Sequence, residues 1–190
     1  MKLLIVAHLD DEILWFNTVE FDLIIIVFLG RIDRPDIEKG RYKVLENHPF
    51  KDKILCLGYT ETNYWRDRSK RELYESQLMS LVNYLTEWKK TNKPNQIFTH
   101  NPWGEYGHSD HVLVHKAVMK AFPEINKFGL AKGILSAEGR ESEIDPSLTF
   151  TGIMDIPQFI RIRDLYLKCG AWTWSLDYYP ELKTTYYLMK

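Results

Sequence analysis

Two short stretches concentrate the side chains that could bind a metal ion and move a proton. The first, "AHLDDE" at residues 7–12, carries His8 followed by three acids. A catalytic zinc site typically has three histidine or carboxylate ligands and leaves one position open for water. His8 and Asp11 are three positions apart, so both can face one point where a turn opens a helix. Asp10 must then point elsewhere, which would leave it available as a general base.

The second stretch is "THNPWGEYGHSDH" at residues 99–111, and four of the six histidines fall between His100 and His115. His108 and His111 repeat the three-residue spacing at the expected start of a helix over 109–122. One of them can bind metal while the other faces a substrate. His115 lies four positions after His111 on the same helix face, and the residue types alone do not decide which of the two is a ligand.

Simpler roles compete with this chemistry. Acidic side chains at a helix start commonly cap the helix and complement its dipole, which is the commoner use of residues such as Asp10 and Asp11. Glu12 is expected to support the helix start rather than react. Each histidine taken singly is more commonly structural, and His48, beside Pro49, is expected at the surface.

The elements that must position these residues alternate along the chain. Continuous apolar runs predict strands at 2–7, 21–29, 53–58 and 96–100, and helical spacing predicts helices at 36–47, 71–90 and 109–122. This alternation predicts an α/β fold with a parallel, doubly wound sheet. Active sites of such sheets lie outside the carboxyl ends of the strands, so both polar stretches should converge there. Further on, "FTGIMDI" is expected to form a strand and 158–169 a helix, while the aromatic tail 170–190 has no assignment.

Composition narrows the classes of function. With 190 residues, 45% hydrophobic and 27% charged, the chain is expected to form a single domain, 1–190. A formal charge of -1 provides no broad attraction for nucleic acid or an anionic membrane. The apolar run 23–29 is too short to span a bilayer. We therefore expect no transmembrane segment. Two cysteines do not form a disulfide framework, so we expect a cytoplasmic protein.

Both stretches also carry a family resemblance. "AHLDDE" resembles the AHPDDE signature of the LmbE-like or PIG-L family of zinc-dependent deacetylases, "GHSDH" at 107–111 resembles its GHxDH signature, and "LGYTE" at 57–61 resembles its LGxxD segment. The similarity covers roughly residues 2–120. It implies a Rossmann-like three-layer sandwich with a mostly parallel sheet. It also implies hydrolysis of the acetyl group of an N-acetylglucosamine-type sugar, in a glycan precursor, nucleotide sugar or glycoconjugate.

The resemblance implies a role for each motif residue. By the family pattern, zinc would be held by His8, Asp11 and His111. Asp10 would be the general base toward a water activated by zinc, and acetate and a free amino sugar would result. His108, if protonated, would stabilise the oxyanion, with Asp110 setting its charge and orientation.

Substrate contacts are expected from four further residues. Arg41 falls where the family often has an arginine, and Glu61 occupies the acidic position of LGxxD, where it could accept hydrogen bonds from sugar hydroxyls. Trp103 and Tyr106, together with Trp65, could stack on a pyranose ring. The alternatives are that Arg41 is a solvated helix residue and that the loop aromatics shield the core.

Two departures from the family pattern bear on function. Leu9 replaces the usual proline, which removes a fixed φ but no metal-binding atom. No histidine follows His115, although relatives commonly carry a substrate-facing one near the C-terminus. Three functions therefore compete: a deacetylase of an N-acetylated amino sugar, a non-catalytic sugar-binding module, and a metal-dependent hydrolase of another N-acyl or ester bond. Iron in place of zinc and a homo-oligomeric state stay open.

Overall fold

A computed structural model of the chain describes residues 1–131 and 145–189. Its strands are β1 (Lys2–His8), β2 (Leu23–Gly30), β3 (Ile54–Thr60), β4 (Gln96–Thr99), β5 (Asn126–Leu130), β6 (Thr149–Ile153) and β7 (Lys183–Met189). Its helices are α1 (Asp11–Leu14), α2 (Pro35–Asn47), α3 (Arg71–Thr91), α4 (Gly104–Gly107), α5 (Ser109–Ala121) and α6 (Ile156–Cys169). Short 3-10 turns occupy Thr18–Glu20, Lys51–Lys53, Arg68–Lys70 and Pro146–Leu148.

The described strands form a seven-stranded sheet in the order β3-β2-β1-β4-β5-β7-β6. The first five in this order are parallel, whereas β7 runs antiparallel to both β5 and β6. The chain order reverses between β1 and β4, which are neighbours. At such a switch point the loops leaving two adjacent strands diverge and open a crevice at their carboxyl ends.

Alternating residues of β1 build two hydrophobic cores, one on each face of the sheet. Leu4 and Val6 pack with side chains of α2 and α6, while Leu3 and Ile5 pack with side chains of α3 and α5. All four are fully buried. Coverage on both faces explains why the strand is a continuous apolar run rather than an alternating one. The expected α/β three-layer arrangement with a mostly parallel sheet is confirmed.

The four N-terminal strand predictions and the three helix predictions match elements of the structure. The second strand begins at Leu23 rather than at residue 21. "FTGIMDI" contributes β6, and the last predicted helix is α6, which begins at Ile156 behind the capping carboxylate of Asp155. The unassigned tail contains β7, inserted between β5 and β6. No helix within 1–131 or 145–189 has the length and apolar character needed to cross a membrane.

Candidate metal and catalytic site

The end of β1 presents its three acids in three different directions. Asp10 has φ 133°, a left-handed backbone conformation that aspartate tolerates better than most residues. Its backbone N–H donates to Oε2 of Glu12 at 2.8 Å, so Glu12 supports the helix start as expected. The Asp10 carboxylate makes no capping hydrogen bond; it accepts a hydrogen bond from the hydroxyl of Thr173. The structure therefore turns the Asp10 side chain away from the capping role.

Three ligand-type atoms form a nearly equilateral triangle at the end of β1. Nδ1 of His8 lies 3.3 Å from Oδ2 of Asp11 and 3.2 Å from Nε2 of His111. The Asp11 Oδ2 to His111 Nε2 distance is 3.4 Å. Ligands of a tetrahedral zinc ion with bonds of about 2.1 Å lie about 3.4 Å apart. The atoms predicted as metal ligands thus converge with the spacing that zinc requires.

The carboxylate of the triangle suits a cation. Burial alone would raise the pKa of Asp11, but the neighbouring His111, His100 and His8 hold it well below its usual range. Asp11 is therefore an ionised acceptor at neutral pH. Its Oδ1 is oriented by the indole N–H of Trp15 at 3.2 Å, and its Oδ2 by the backbone N–H of His8 at 2.7 Å.

Glu105 sets the proton positions on the histidine rings behind the triangle. Its Oε2 lies 2.7 Å from Nδ1 of His111 and 2.8 Å from Nδ1 of His100. Burial would raise the pKa of Glu105, but His100 and His111 lower it to about 2. An ionised carboxylate only accepts hydrogen bonds, so both Nδ1 atoms must donate. The lone pair of His111 is consequently left on Nε2, facing His8 and Asp11.

His100 and His115, two other histidines near the triangle, have ring nitrogens engaged elsewhere, whereas His108 forms a further potential metal-binding group with His8 and His111. Potential ligand atoms of Asp11, His100 and His111 also lie within 4.8 Å of one another. However, Nε2 of His100 accepts the backbone N–H of Ala7 at 2.8 Å, which occupies its lone pair. Nδ1 of His115 bonds the carbonyl oxygen of His100 at 3.0 Å. Of the two histidines that the sequence left open, His111 lies beside His8 and Asp11, whereas His115 is directed to the carbonyl oxygen of His100.

His108 caps α5 with its own ring. Its Nδ1 accepts the backbone N–H of Asp110 at 3.2 Å, so in the neutral ring the proton sits on Nε2. Burial, together with His8 and His111, holds the pKa of His108 well below its usual range. A neutral imidazole oriented in this way at a helix N-terminus can donate a hydrogen bond to a developing negative charge. The expected protonated His108 is replaced by a neutral donor.

The carboxylate of Asp110 does not take the part expected of it. It faces Nε2 of His8 at 3.5 Å and accepts a hydrogen bond from the hydroxyl of Thr62. Its link to His108 runs only through the backbone N–H, because the ring occupies the capping position. Asp110 therefore orients His8, the residue that presents Nδ1 to the triangle, and the expectation that its side chain sets the charge of His108 is wrong.

A cleft of about 190 Å³ opens over these groups. Arg41 lies in its wall with 1% exposure and donates from Nη1 to Oε1 of Glu61 at 2.7 Å and to the carbonyl oxygen of Leu29 at 3.2 Å. The alternative of a solvated Arg41 is therefore wrong. Tyr106 also lines the cleft. The described lining residues are His8, Asp10, Asp11, Leu14, Arg31, Arg41, Glu61, Trp65, Arg66, Tyr106, His108, Thr173 and Trp174.

Trp103 is not among those lining residues, contrary to its expected role as a sugar platform. Its ring stacks on Tyr187 with an interplanar angle of 5° and a centroid distance of 6.2 Å, and it packs in a cluster with Ala131 and Met189. Trp103 therefore shields the core, which was the alternative to a contact with sugar. The partners lie largely on β7, which belongs to the tail that the sequence pattern leaves unassigned.

Several residues that shape the site were not singled out in the sequence. Trp174, from the tail, lies 5.2 Å from the ring of Tyr106 and 5.5 Å from the ring of Trp15. His48, expected at the surface, is 2% exposed, and its Nε2 lies 3.6 Å from Glu12. No periodic signal marks these positions. Their roles follow from contacts between segments far apart in the chain.

Comparison with known proteins finds solved structures with the same fold at 11–12% sequence identity. No protein-family model and no curated protein matches the chain. A deacetylase of the teicoplanin biosynthesis pathway has TM-score 0.67 and 11% identity, covering 99% of this chain and 97% of its own. The chain has the fold of this deacetylase. The zinc-inhibited form of a teicoplanin deacetylase has TM-score 0.66 and 12% identity, covering 99% of this chain and 97% of its own. An A40926 pseudoaglycone deacetylase has TM-score 0.64 and 12% identity, covering 98% of this chain and 96% of its own.

Proposed function

We propose that this protein is a metal-dependent N-deacetylase of the LmbE-like or PIG-L type, which removes the acetyl group from an N-acetylated amino sugar. The observation that carries the proposal is the 3.2–3.4 Å triangle of His8, Asp11 and His111 beside the carboxylate of Asp10, which caps no helix. The solved structures with the same fold are themselves described as deacetylases. A binding module needs neither a metal triangle nor an adjacent base.

The metal proposed for the triangle is zinc. Two imidazole nitrogens and one carboxylate oxygen are ligands that zinc favours, and one structure with this fold is described as zinc-inhibited. Zinc would supply Lewis acidity toward the acetyl carbonyl and acidify a water molecule. The same donor set also suits ferrous iron, so elemental analysis of the purified protein separates the two.

Asp10 and His108 divide the proton chemistry in this proposal. Burial and the neighbouring Asp11 raise the pKa of Asp10, which strengthens it as a base for the proton of the attacking water. The water oxygen bonds to the amide carbon while Nε2–H of His108 donates to the carbonyl oxygen. One such donor typically contributes about 3 kcal/mol to the barrier reduction. The protonated Asp10 then gives its proton to the departing nitrogen, the C–N bond breaks, and acetate and a free amine result.

The cleft walls provide the contacts proposed for the sugar. Arg41 holds one oxygen of Glu61 at 2.7 Å, which orients that carboxylate toward hydroxyl donors in the cleft. Tyr106 and Trp174 form an aromatic corner with ring centroids 5.2 Å apart. Aromatic faces pack well against the apolar face of a pyranose, so these two residues replace Trp103 in the proposed platform.

Acetate release tests the proposal directly. The purified protein is incubated with a panel of N-acetyl sugars, N-acetyl peptides and acyl esters, before and after chelation and after return of zinc or ferrous iron. We expect acetate from at least one N-acetyl sugar, lost on chelation and restored by metal. Sugar binding without acetate release in the presence of metal would instead establish a binding module. Acetate from only peptides or esters would move the activity to another substrate class.

Asp10→Asn tests the base. We expect turnover to fall by about 10²–10⁴-fold while zinc affinity and melting temperature stay near those of the wild type, since the side chain caps no helix. Asp52→Asn, at an exposed position, is the matched control and should change neither property. A loss of stability with turnover unchanged would assign Asp10 a structural role.

A further inference from the structure

One wall of the cleft carries more positive than negative charge. Arg31 follows β2, Arg41 lies on α2, and Arg66 lies in the loop after β3. These three guanidinium groups share two carboxylates. Glu61 lies 2.7 Å from Arg41 and 3.7 Å from Arg31, and Asp33 lies 3.3 Å from each of Arg31 and Arg66. Arg41 also faces the carboxylates of Asp10 and Asp11, so the positive charge that is not balanced belongs to Arg31 and Arg66, which share Asp33.

Arg31 and Arg66 differ from Arg41 in what their guanidinium groups can still bind. The Arg41 side chain is 1% exposed, whereas those of Arg31 and Arg66 are 15% and 51% exposed. Within the described part of the chain, the side-chain hydrogen bonds of these two use only Nε of Arg31 and Nη1 of Arg66. Because Asp33 bonds both, it holds the two guanidinium groups side by side with further N–H donors to spare.

Each of these arginines is one side chain away from a group proposed to react. Glu61 lies between Arg31 and His8, with its oxygens 3.7 Å and 4.0 Å from them. The ring of Trp65 lies between Arg66, 4.4 Å from its centroid, and the ring of His108, 5.4 Å away. An anion bound by both arginines would therefore sit close to the acetamido group undergoing hydrolysis. This proximity favours an anion attached to the sugar itself over one on a distant aglycone.

We propose that Arg31 and Arg66 form an anion subsite at the mouth of the cleft, which binds a phosphate group carried by the N-acetylated sugar. The inference rests on the proposed deacetylase function and adds a substrate class to it. A phosphate monoester carries a charge near -2 at neutral pH and three acceptor oxygens. The spare N–H donors of two guanidinium groups can bond several of these oxygens at once, and guanidinium forks suit phosphate oxygens geometrically.

Kinetic discrimination tests the subsite. The substrates are N-acetylglucosamine 1-phosphate and 6-phosphate, N-acetylmuramic acid as a carboxylate, and the neutral methyl N-acetylglucosaminide. We expect kcat/KM for one phosphorylated sugar to exceed that for the neutral sugar by about tenfold or more. Arg31→Met and Arg66→Met should each reduce this ratio about tenfold, through KM. Arg34→Met, an exposed arginine paired with Asp36 outside the cleft, should leave the ratio unchanged.

A binding measurement separates failure of the subsite from failure of the proposed function. Calorimetry compares glucosamine 1-phosphate and 6-phosphate with methyl glucosaminide on the metal-loaded protein and both variants. Tighter phosphate binding that the variants abolish supports the subsite even if no acetate is released from any sugar. Acetate release with equal kcat/KM for neutral and phosphorylated sugars overturns the subsite and leaves the deacetylase standing. A phosphate preference that survives both substitutions, or a preference for the carboxylate sugar, also overturns the proposal.

Discussion

Glu105→Gln isolates the hydrogen bonds behind the metal triangle without changing the volume of the side chain. The carboxylate accepts Nδ1–H of His100 and of His111 at Oε2, and the backbone N–H of Asn101 at Oε1 at 3.0 Å. Glutamine has one acceptor and one donor end. With its NH₂ group toward the rings, Nδ1 of His111 must accept, and its Nε2 then carries a proton into the triangle. With its NH₂ group toward Asn101, that group and the backbone N–H of Asn101 are two buried donors that face each other.

Either orientation has a calculable cost. Hydrogen bonds to charged groups contribute about 1.5–3 kcal/mol each, and at least one is lost. Replacing a partner behind a metal-ligating histidine typically lowers metal affinity about 10–100-fold. At about 1.4 kcal/mol per tenfold, that is about 1.4–2.8 kcal/mol, so the two estimates agree. We expect Glu105→Gln to lower the zinc affinity about 10–100-fold, because Glu105 directs the lone pair of His111 toward the triangle.

Competition against a chromophoric chelator of known affinity measures the zinc dissociation constant of each variant. Glu124→Gln is the matched control, because Glu124 is 57% exposed and pairs with Lys89 at the surface. The melting temperature of the metal-free forms distinguishes a disrupted fold from a protonated ligand. A Glu105→Gln protein that binds zinc as tightly as the wild type would refute the tautomer argument.

Three further outcomes follow from buried contacts. Tyr166→Phe removes the hydroxyl that donates to Oε1 of Glu12 at 2.6 Å, and we expect the free energy of unfolding in urea to fall by about 1–3 kcal/mol; no change would mean that Glu12 has another donor. Arg41→Met removes the nearer of the two arginines paired with the buried Glu61 and should cost about 3–5 kcal/mol by the same measurement, whereas full stability would show that Glu61 had taken up a proton or that Arg31 replaces Arg41. Zinc at a hundredfold excess over its dissociation constant should stabilise the chain by about 2.7 kcal/mol, and an unchanged melting temperature would exclude a native metal site.

The convergence of the two motifs was predictable because parallel strands bring their carboxyl ends to one edge. His8 ends β1, and β4, the neighbour of β1, leads through a loop into α5, whose first turn carries His111. The shared edge of the parallel strands and the three-residue spacing therefore suffice to predict that His8, Asp11 and His111 lie close together. The same logic fails for Trp103, since a loop position does not determine which way its side chain points. Its partner Tyr187 lies on a strand whose place in the sheet no local pattern reveals.

The residues that fix proton positions were harder to foresee than the ligands. Glu105 has φ 55°, a left-handed conformation uncommon for glutamate, and the turn around it brings its carboxylate against two rings. A sequence pattern that assumes a regular helix or strand cannot predict such a backbone. His100 likewise resembles a ligand in type and spacing, and only the backbone N–H of Ala7 on its Nε2 shows that it is not one.

The C-terminal third of the chain completes the catalytic end of β1. The hydroxyls of Thr173 and Tyr166 donate to the carboxylates of Asp10 and Glu12. Those of Tyr178 and Tyr186 donate to the carbonyl oxygens of Leu14 and Trp15, at the end of the four-residue helix α1. So short a helix has little stability of its own, because its nucleation costs more than its few hydrogen bonds return. The motif "AHLDDE" thus supplies groups that are proposed to bind metal and react, but their orientation depends on hydroxyls more than a hundred residues away.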